Sequence, residues 1–155
     1  MIFVTVGTNE ARFDRLVAAV SSLVGDERVV VQYGSSALRP AGAECVEFIP
    51  FDRLTELVRE ARVVVTHAGV GSILVSLTNG KRPLVVARRK RFGEAVDDHQ
   101  VPLTARLAAA GLVTAVDDPA RNLPGAVSNA DAAATLGASP RALVGELREY
   151  LHSVA

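Results

Sequence analysis

The chain has 155 residues, 49% apolar and only 5% aromatic, with seventeen basic residues balancing seventeen acidic ones. That length fits a single domain over 1–155 with a real core, and the composition excludes a disordered or fibrous chain. Zero net charge leaves no global field for nonspecific nucleic-acid binding, and no stretch reaches the roughly 18 apolar residues of a membrane span.

The first segment, Met1-Ile2-Phe3-Val4-Thr5-Val6, has no basic segment before it and is too short for an export signal, so it reads as a strand over 2–6 running into Gly7. Leu16, Val17, Val20, Leu23 and Val24 then form one helical stripe that Gly25 stops. Strands follow at 28–33 and 44–49. The second contains Cys45, the sole cysteine, which reads as a small buried apolar residue in a reducing cytoplasm. Asp52 is expected to cap a helix burying Leu54, Leu57 and Val58. A strand at 62–66 leads to a helix from near Val70 to Gly80, and another strand follows at 83–87.

A fourth helix is expected from about Asp98, burying Leu103, Leu107 and Ala110 and stopping at Gly111 before a strand at 112–116. From Pro119 to Ser139 an alanine-rich stretch broken by Pro124, Gly125 and Gly137 reads as a loop or a poor helix. Ser139-Pro140 then resembles a cap and first helical residue, opening a helix with Leu143, Val144, Leu147 and Leu151 on one face. This alternation predicts an α/β fold, a Rossmann-like and mostly parallel sheet with helices on both faces.

Three segments fall at carboxyl ends of strands, where such sheets bind ligands. In the first, His67-Ala68-Gly69-Val70-Gly71-Ser72, two glycines permit close backbone approach and the free amides of a helix start favour a phosphate. Ser72 adds a hydroxyl, and His67 can point an imidazole at the same oxygens. On spacing alone two readings stay open: a phosphate site, or a tight turn beside a hydrogen-bonded core histidine. The pattern is neither a G-x-G-x-x-G fingerprint nor a G-x-x-x-x-G-K-[ST] loop, which disfavours NAD and ATP.

The second segment runs from Arg88 to Gln100. Its four basic residues, Arg88 to Arg91, would supply charge near a phosphate, and Glu94, His99 and Gln100 offer directed hydrogen bonds to hydroxyls. A solvated charged loop is the alternative. Asp97-Asp98 is a poor chelate, so no metal site is expected, and Asp98 is the better helix cap. Asp117-Asp118-Pro119 reads as a turn. The third segment is Gly7-Thr8-Asn9-Glu10, whose Thr8 and Asn9 could touch a phosphate or an acceptor.

Taken in order, Phe3-Val4-Thr5-Val6-Gly7-Thr8 with Phe13-Asp14-Arg15-Leu16, then His67 to Ser72, then Gly93 to Gln100, resemble the carboxyl-terminal domain of glycosyltransferase family 28, the donor half of a GT-B enzyme. Within that family the chain is most similar to stand-alone donor subunits of split enzymes. These include the PssE-like proteins of bacterial exopolysaccharide assembly and the cytosolic subunit of the N-glycan GlcNAc transferase. The resemblance implies a bacterial, cytoplasmic chain recruited to the membrane by a membrane-associated, acceptor-binding partner, with self-association into a homo-oligomer left open.

It further implies inverting, metal-independent hexosyl transfer from a UDP-sugar, with no cofactor, onto a lipid-linked or polysaccharide-precursor acceptor. Thr8, His67, Gly69, Gly71 and Ser72 would hold the diphosphate, His67 would steady the leaving group, and Glu94, His99 and Gln100 would bind the sugar; the base would lie on the partner. Many relatives carry an acid in the helix after the glycine turn for ribose, whereas here Ile73-Leu74-Val75-Ser76 has none, and Ala87 stands where proline is common. A non-catalytic nucleotide-sugar-binding module and a Rossmann-like oxidoreductase are the rival readings.

Overall fold

The computed structural model describes residues 1–130 and 140–153, apart from the side chains of Pro140 and Leu151. Six strands form one parallel sheet: β1 (Ile2–Thr5), β2 (Val29–Gln32), β3 (Glu44–Val46), β4 (Val63–His67), β5 (Leu84–Val86) and β6 (Thr114–Ala115). Their spatial order is β3-β2-β1-β4-β5-β6. The chain winds outward from β1 in one direction and then restarts at β4 in the other, so the loops after β1 and β4 diverge and leave a crevice between them.

The alternation of the valine runs decides which helices cover which face. Val4, Val31, Val65 and Val86 share one face with Leu16 and Val17 of α1 (Asp14–Val20) and with Leu123 and Val127 of α5 (Pro119–Asn129). On the other face Phe3, Val30 and Val64 meet Leu57 and Val58 of α2 (Phe51–Glu60). There too, Val85 packs with Ile73 and Leu77 of α3 (Val70–Thr78), Leu103 and Leu107 of α4 (Gln100–Ala109) and Leu143 of α6 (Pro140–Ser153). Phe3 and Phe13 are completely buried, and truncating either to alanine should cost about 3–5 kcal/mol.

All six expected strands are present, and several finer expectations are corrected. Asp52 lies inside the first turn of α2, whose cap position is Pro50. Asp98 does not cap α4; its carboxylate instead accepts from the Lys90 amide at 2.8 Å. Ala110 and Val144 are exposed and Cys45 is half-buried. The stretch after Pro119 is helical over Pro119–Asn129 because Asp118 accepts from the Arg121 amide and Leu123 and Val127 supply an i, i+4 apolar pair. The expected roles of Ser139 and Leu151 lie outside the described residues.

Candidate functional site

The crevice is a cleft of about 380 Å³ lined by Thr5, Gly7, Thr8, Gln32, Ile49, Phe51, Leu54, His67, Gly69, Gly71 and Ser72. All five residues expected around a phosphate are therefore brought together. Among the described residues no lysine, arginine, aspartate or glutamate lines this cleft; its polar groups are neutral donors and acceptors.

One wall is the start of α3. Gly69 occupies the cap position in extended backbone and makes no side-chain cap bond, and the first intrahelical bond is Ile73 N–H to the Gly69 carbonyl at 3.1 Å. The amides of Val70, Gly71 and Ser72 thus have no carbonyl within the helix to donate to, and the helix dipole adds partial positive charge at the same point. Nothing in the protein lies within 4 Å of a methyl built on Gly71, so no neighbouring protein atom requires glycine there. A methyl built on Gly69 or Gly7 would instead overlap the His67 imidazole. Gly7 also sits at φ +75°, where L residues are strained. These two glycines make the slot in which the ring lies.

His67 ends β4, with Nδ1 at 3.3 Å from the Thr66 hydroxyl. Burial, and after it the positive charge of Arg88, lower its pKa from the ordinary 6.5 to about 4, opposed by a backbone hydrogen bond at Thr5. The ring is neutral at pH 7. Its expected contribution to a leaving diphosphate is consequently that of a neutral donor, not of a cation.

The floor is a polar layer. Phe3, Val30 and Val64 lie in a buried apolar row on the face toward α2; two residues further along each strand, Thr5, Gln32 and Thr66 stand in matching register on the same face. The Thr5 hydroxyl accepts from the Gly7 amide at 3.2 Å and donates to Gln32 Oε1 at 2.5 Å. Sequence reading missed Thr5, Gln32, Ile49, Phe51 and Leu54. The available signal was a glutamine closing the Val29-Val30-Val31 run at a carboxyl strand end.

The residues expected around a sugar lie outside the lining of this cleft. Glu94 is 3% exposed, and Arg15 grips its carboxylate at 2.9 and 3.0 Å while the Arg89 amide donates to it at 3.0 Å. It borders a neighbouring cleft with Arg12, Asp14, Arg15 and Phe92. The carboxylate expected to hydrogen-bond sugar hydroxyls is thus engaged by Arg15 and the Arg89 amide, where it holds a loop. Gln100 is buried and accepts from the Arg88 amide at 3.0 Å, and its amide nitrogen has no protein partner among the described residues. His99 is exposed and its ring meets Asp97.

The basic run is also corrected, since none of it reaches the cleft. Arg88 is buried, with its guanidinium donating to the carbonyls of Val6 at 2.8 Å, Ala11 at 3.0 Å and Glu94 at 3.1 Å and lying over the Phe13 ring. Lys90 and Arg91 face solvent. Among the described residues no cluster of three or more metal-ligating side chains is present, and no helix is long and apolar enough to cross a membrane.

The chain is 34% identical over 119 residues to the UDP-N-acetylglucosamine transferase subunit ALG13 of Homo sapiens, a match covering 68% of this chain and 10% of that protein. It is 29% identical over a 180-residue alignment to the subunit of the same name from Eremothecium gossypii, covering 96% of this chain and 86% of that one. The chain thus spans about a tenth of its human relative's length. These relatives are eukaryotic and lend no support to a bacterial source. Among solved structures, CalG4, the calicheamicin glycosyltransferase, superposes with a TM-score of 0.59 at 20% identity, over 98% of this chain and 38% of that one, which shows a shared fold. The model of the glycosyltransferase family 28 C-terminal domain matches residues 1–134. The chain belongs to the glycosyltransferase family 28 C-terminal domain family.

Proposed function

We propose that this chain binds the UDP-sugar donor of an inverting, metal-independent glycosyltransferase whose acceptor site lies on a membrane-associated partner subunit. The observation that carries the reading is the cleft wall at α3, where Gly71 and Ser72, whose amides have no partner within the helix, and the helix dipole meet a space lined by neutral groups. A diphosphate seated there would leave the nucleoside toward Ile49, Phe51 and Leu54. The sugar would lie toward the start of α4, with the Gln100 amide nitrogen and His99 as its hydrogen-bonding groups.

In the reaction an acceptor hydroxyl oxygen attacks the anomeric carbon from the face opposite the diphosphate. The bond from that carbon to the phosphate oxygen breaks, and its electron pair stays on UDP. The growing charge meets the α3 amides and a neutral His67, preorganised donors of a kind worth roughly 3 kcal/mol each in transition-state stabilisation. The hydroxyl proton passes to a base on the partner, because the only imidazole in this cleft titrates at about 4 and is flanked by glycine backbone. A lipid-linked or polysaccharide-precursor acceptor suits a partner at the membrane. The relatives' description as a transferase subunit supports a second chain, and the exposed Phe51, Val70 and Leu74 give it an apolar rim to cover.

The test is to measure transfer from UDP-GlcNAc by the chain alone, by the chain with its partner, and by the complex carrying His67→Ala. Activity is expected only in the complex, reduced about a hundredfold by the substitution. Full activity of the chain alone would defeat the split-enzyme reading, and unchanged turnover of the variant complex would favour a binding module without a catalytic role.

A further inference from the structure

We infer that Gln32 is a specificity-determining residue of the cleft, a fixed amide donor that reads a carbonyl oxygen of the nucleotide's base. The inference rests on the donor-binding reading above and adds to it the group that selects the nucleoside.

Gln32 ends β2 and is 1% exposed, yet it lines the cleft. Its two amide atoms are distinguished by their surroundings. The Thr5 hydroxyl accepts from Gly7 N–H at 3.2 Å and donates its proton to the Gln32 carbonyl oxygen, Oε1, at 2.5 Å. The amide nitrogen is then turned the other way. Among the described residues it makes no hydrogen bond to the protein, but Arg88 Nε is the one fully enclosed side-chain nitrogen or oxygen without a partner there. The Gln32 nitrogen therefore opens on the cleft.

A ligand atom facing this nitrogen must be an acceptor, because rotating the amide would turn its NH2 on the Thr5 hydroxyl and take away the carbonyl oxygen that accepts the Thr5 proton. The acceptor's charge follows from its place across the sheet. β2 lies on the far side of β1 from the α3 amides, next to the β3 side of the cleft where Ile49, Phe51 and Leu54 supply apolar and aromatic surface. Flat, weakly polar surface beside one neutral donor suits a heterocyclic base with a ring carbonyl, as in uracil or thymine. It disfavours cytosine wherever an exocyclic amine would replace the acceptor. No acidic side chain in the helix after the glycine turn takes this part, since 73–76 are Ile, Leu, Val and Ser.

The experiment compares calorimetric binding of UDP, CDP and inorganic pyrophosphate to the chain and to Gln32→Met and Thr5→Val, with thermal melts to confirm folding. UDP is expected to bind more tightly than CDP. Gln32→Met should weaken UDP about tenfold, as loss of one neutral hydrogen bond predicts, and leave pyrophosphate unchanged. Thr5→Val, which frees the amide to rotate, should narrow the preference for UDP over CDP. Equal weakening of UDP and pyrophosphate in Gln32→Met, or no change in either, overturns the inference. If the unaltered chain binds neither nucleotide nor pyrophosphate, the donor-binding reading itself is what fails. Should both Gln32→Met and Thr5→Val fail to fold, Gln32→Glu, of the same shape but with no donor, carries the test through its UDP-to-pyrophosphate affinity ratio, which must fall.

Discussion

Gly71→Ala separates the needs of the fold from those of the ligand. Gly71 sits in the first turn of α3 at negative φ, and a methyl there would meet no protein atom within 4 Å. Alanine should therefore stabilise the unliganded protein, since glycine in a helix is about 0.5–1 kcal/mol worse than alanine. For a domain of this size that corresponds to a rise in Tm of roughly 1–4 °C. The same methyl projects from a cleft-lining residue between two of the unpartnered amides, where a phosphate oxygen must come within hydrogen-bond distance of the backbone. UDP affinity should drop at least tenfold, or about 1.4 kcal/mol. Differential scanning calorimetry without ligand and titration with UDP read the two effects on one preparation. A variant that binds UDP as tightly as the parent would refute a diphosphate at this helix start, and one that melts lower would refute the account of Gly71 itself.

Glu94→Gln should cost about 3 kcal/mol in urea denaturation, because it leaves the Arg15 guanidinium without its buried counter-charge; a loss below 1 kcal/mol would mean the carboxylate is not holding the loop. Replacing Lys90 and Arg91 together with alanine should change UDP affinity less than twofold, since neither lines the cleft, and a large loss would restore the basic run to the site. The pH dependence of stability has a definite sign. His67 is held at about 4 against an ordinary 6.5, so between those values the unfolded chain binds more protons than the folded one. The stability linked to this ring is complete above about 6.5 and is lost as pH falls toward 4, by up to about 3 kcal/mol. Urea titrations at pH 7, 5 and 4 should show that loss in the parent and a smaller one in His67→Gln; identical slopes would show that the ring's titration is not responsible.

The strands were legible because each valine run is short and bounded, and the α3 turn because glycines flank a helix start after such a run. Where a polar side chain turns was not legible. Glu94 and Arg15 are 79 positions apart, and only the packing of the β5 loop on α1 decides that the carboxylate points inward. Gln32, within the strand expected at 28–33, carries no sign of its partner in the sequence; register sets it beside Thr5. Helix α5 was obscured by Pro124 and Gly125, whose poor helix propensity is overridden by the Asp118 cap and by burial of Leu123 and Val127.

Arg88 ties together two loops that the sequence keeps far apart. One guanidinium holds carbonyls from Val6, just before Gly7, from Ala11 in the following segment, and from Glu94 beyond β5. The loops after β1 and β5 are thereby riveted to a common peg. Lengthening either loop would strain the hold on the other, so an insertion after β1 is felt beyond β5 as well.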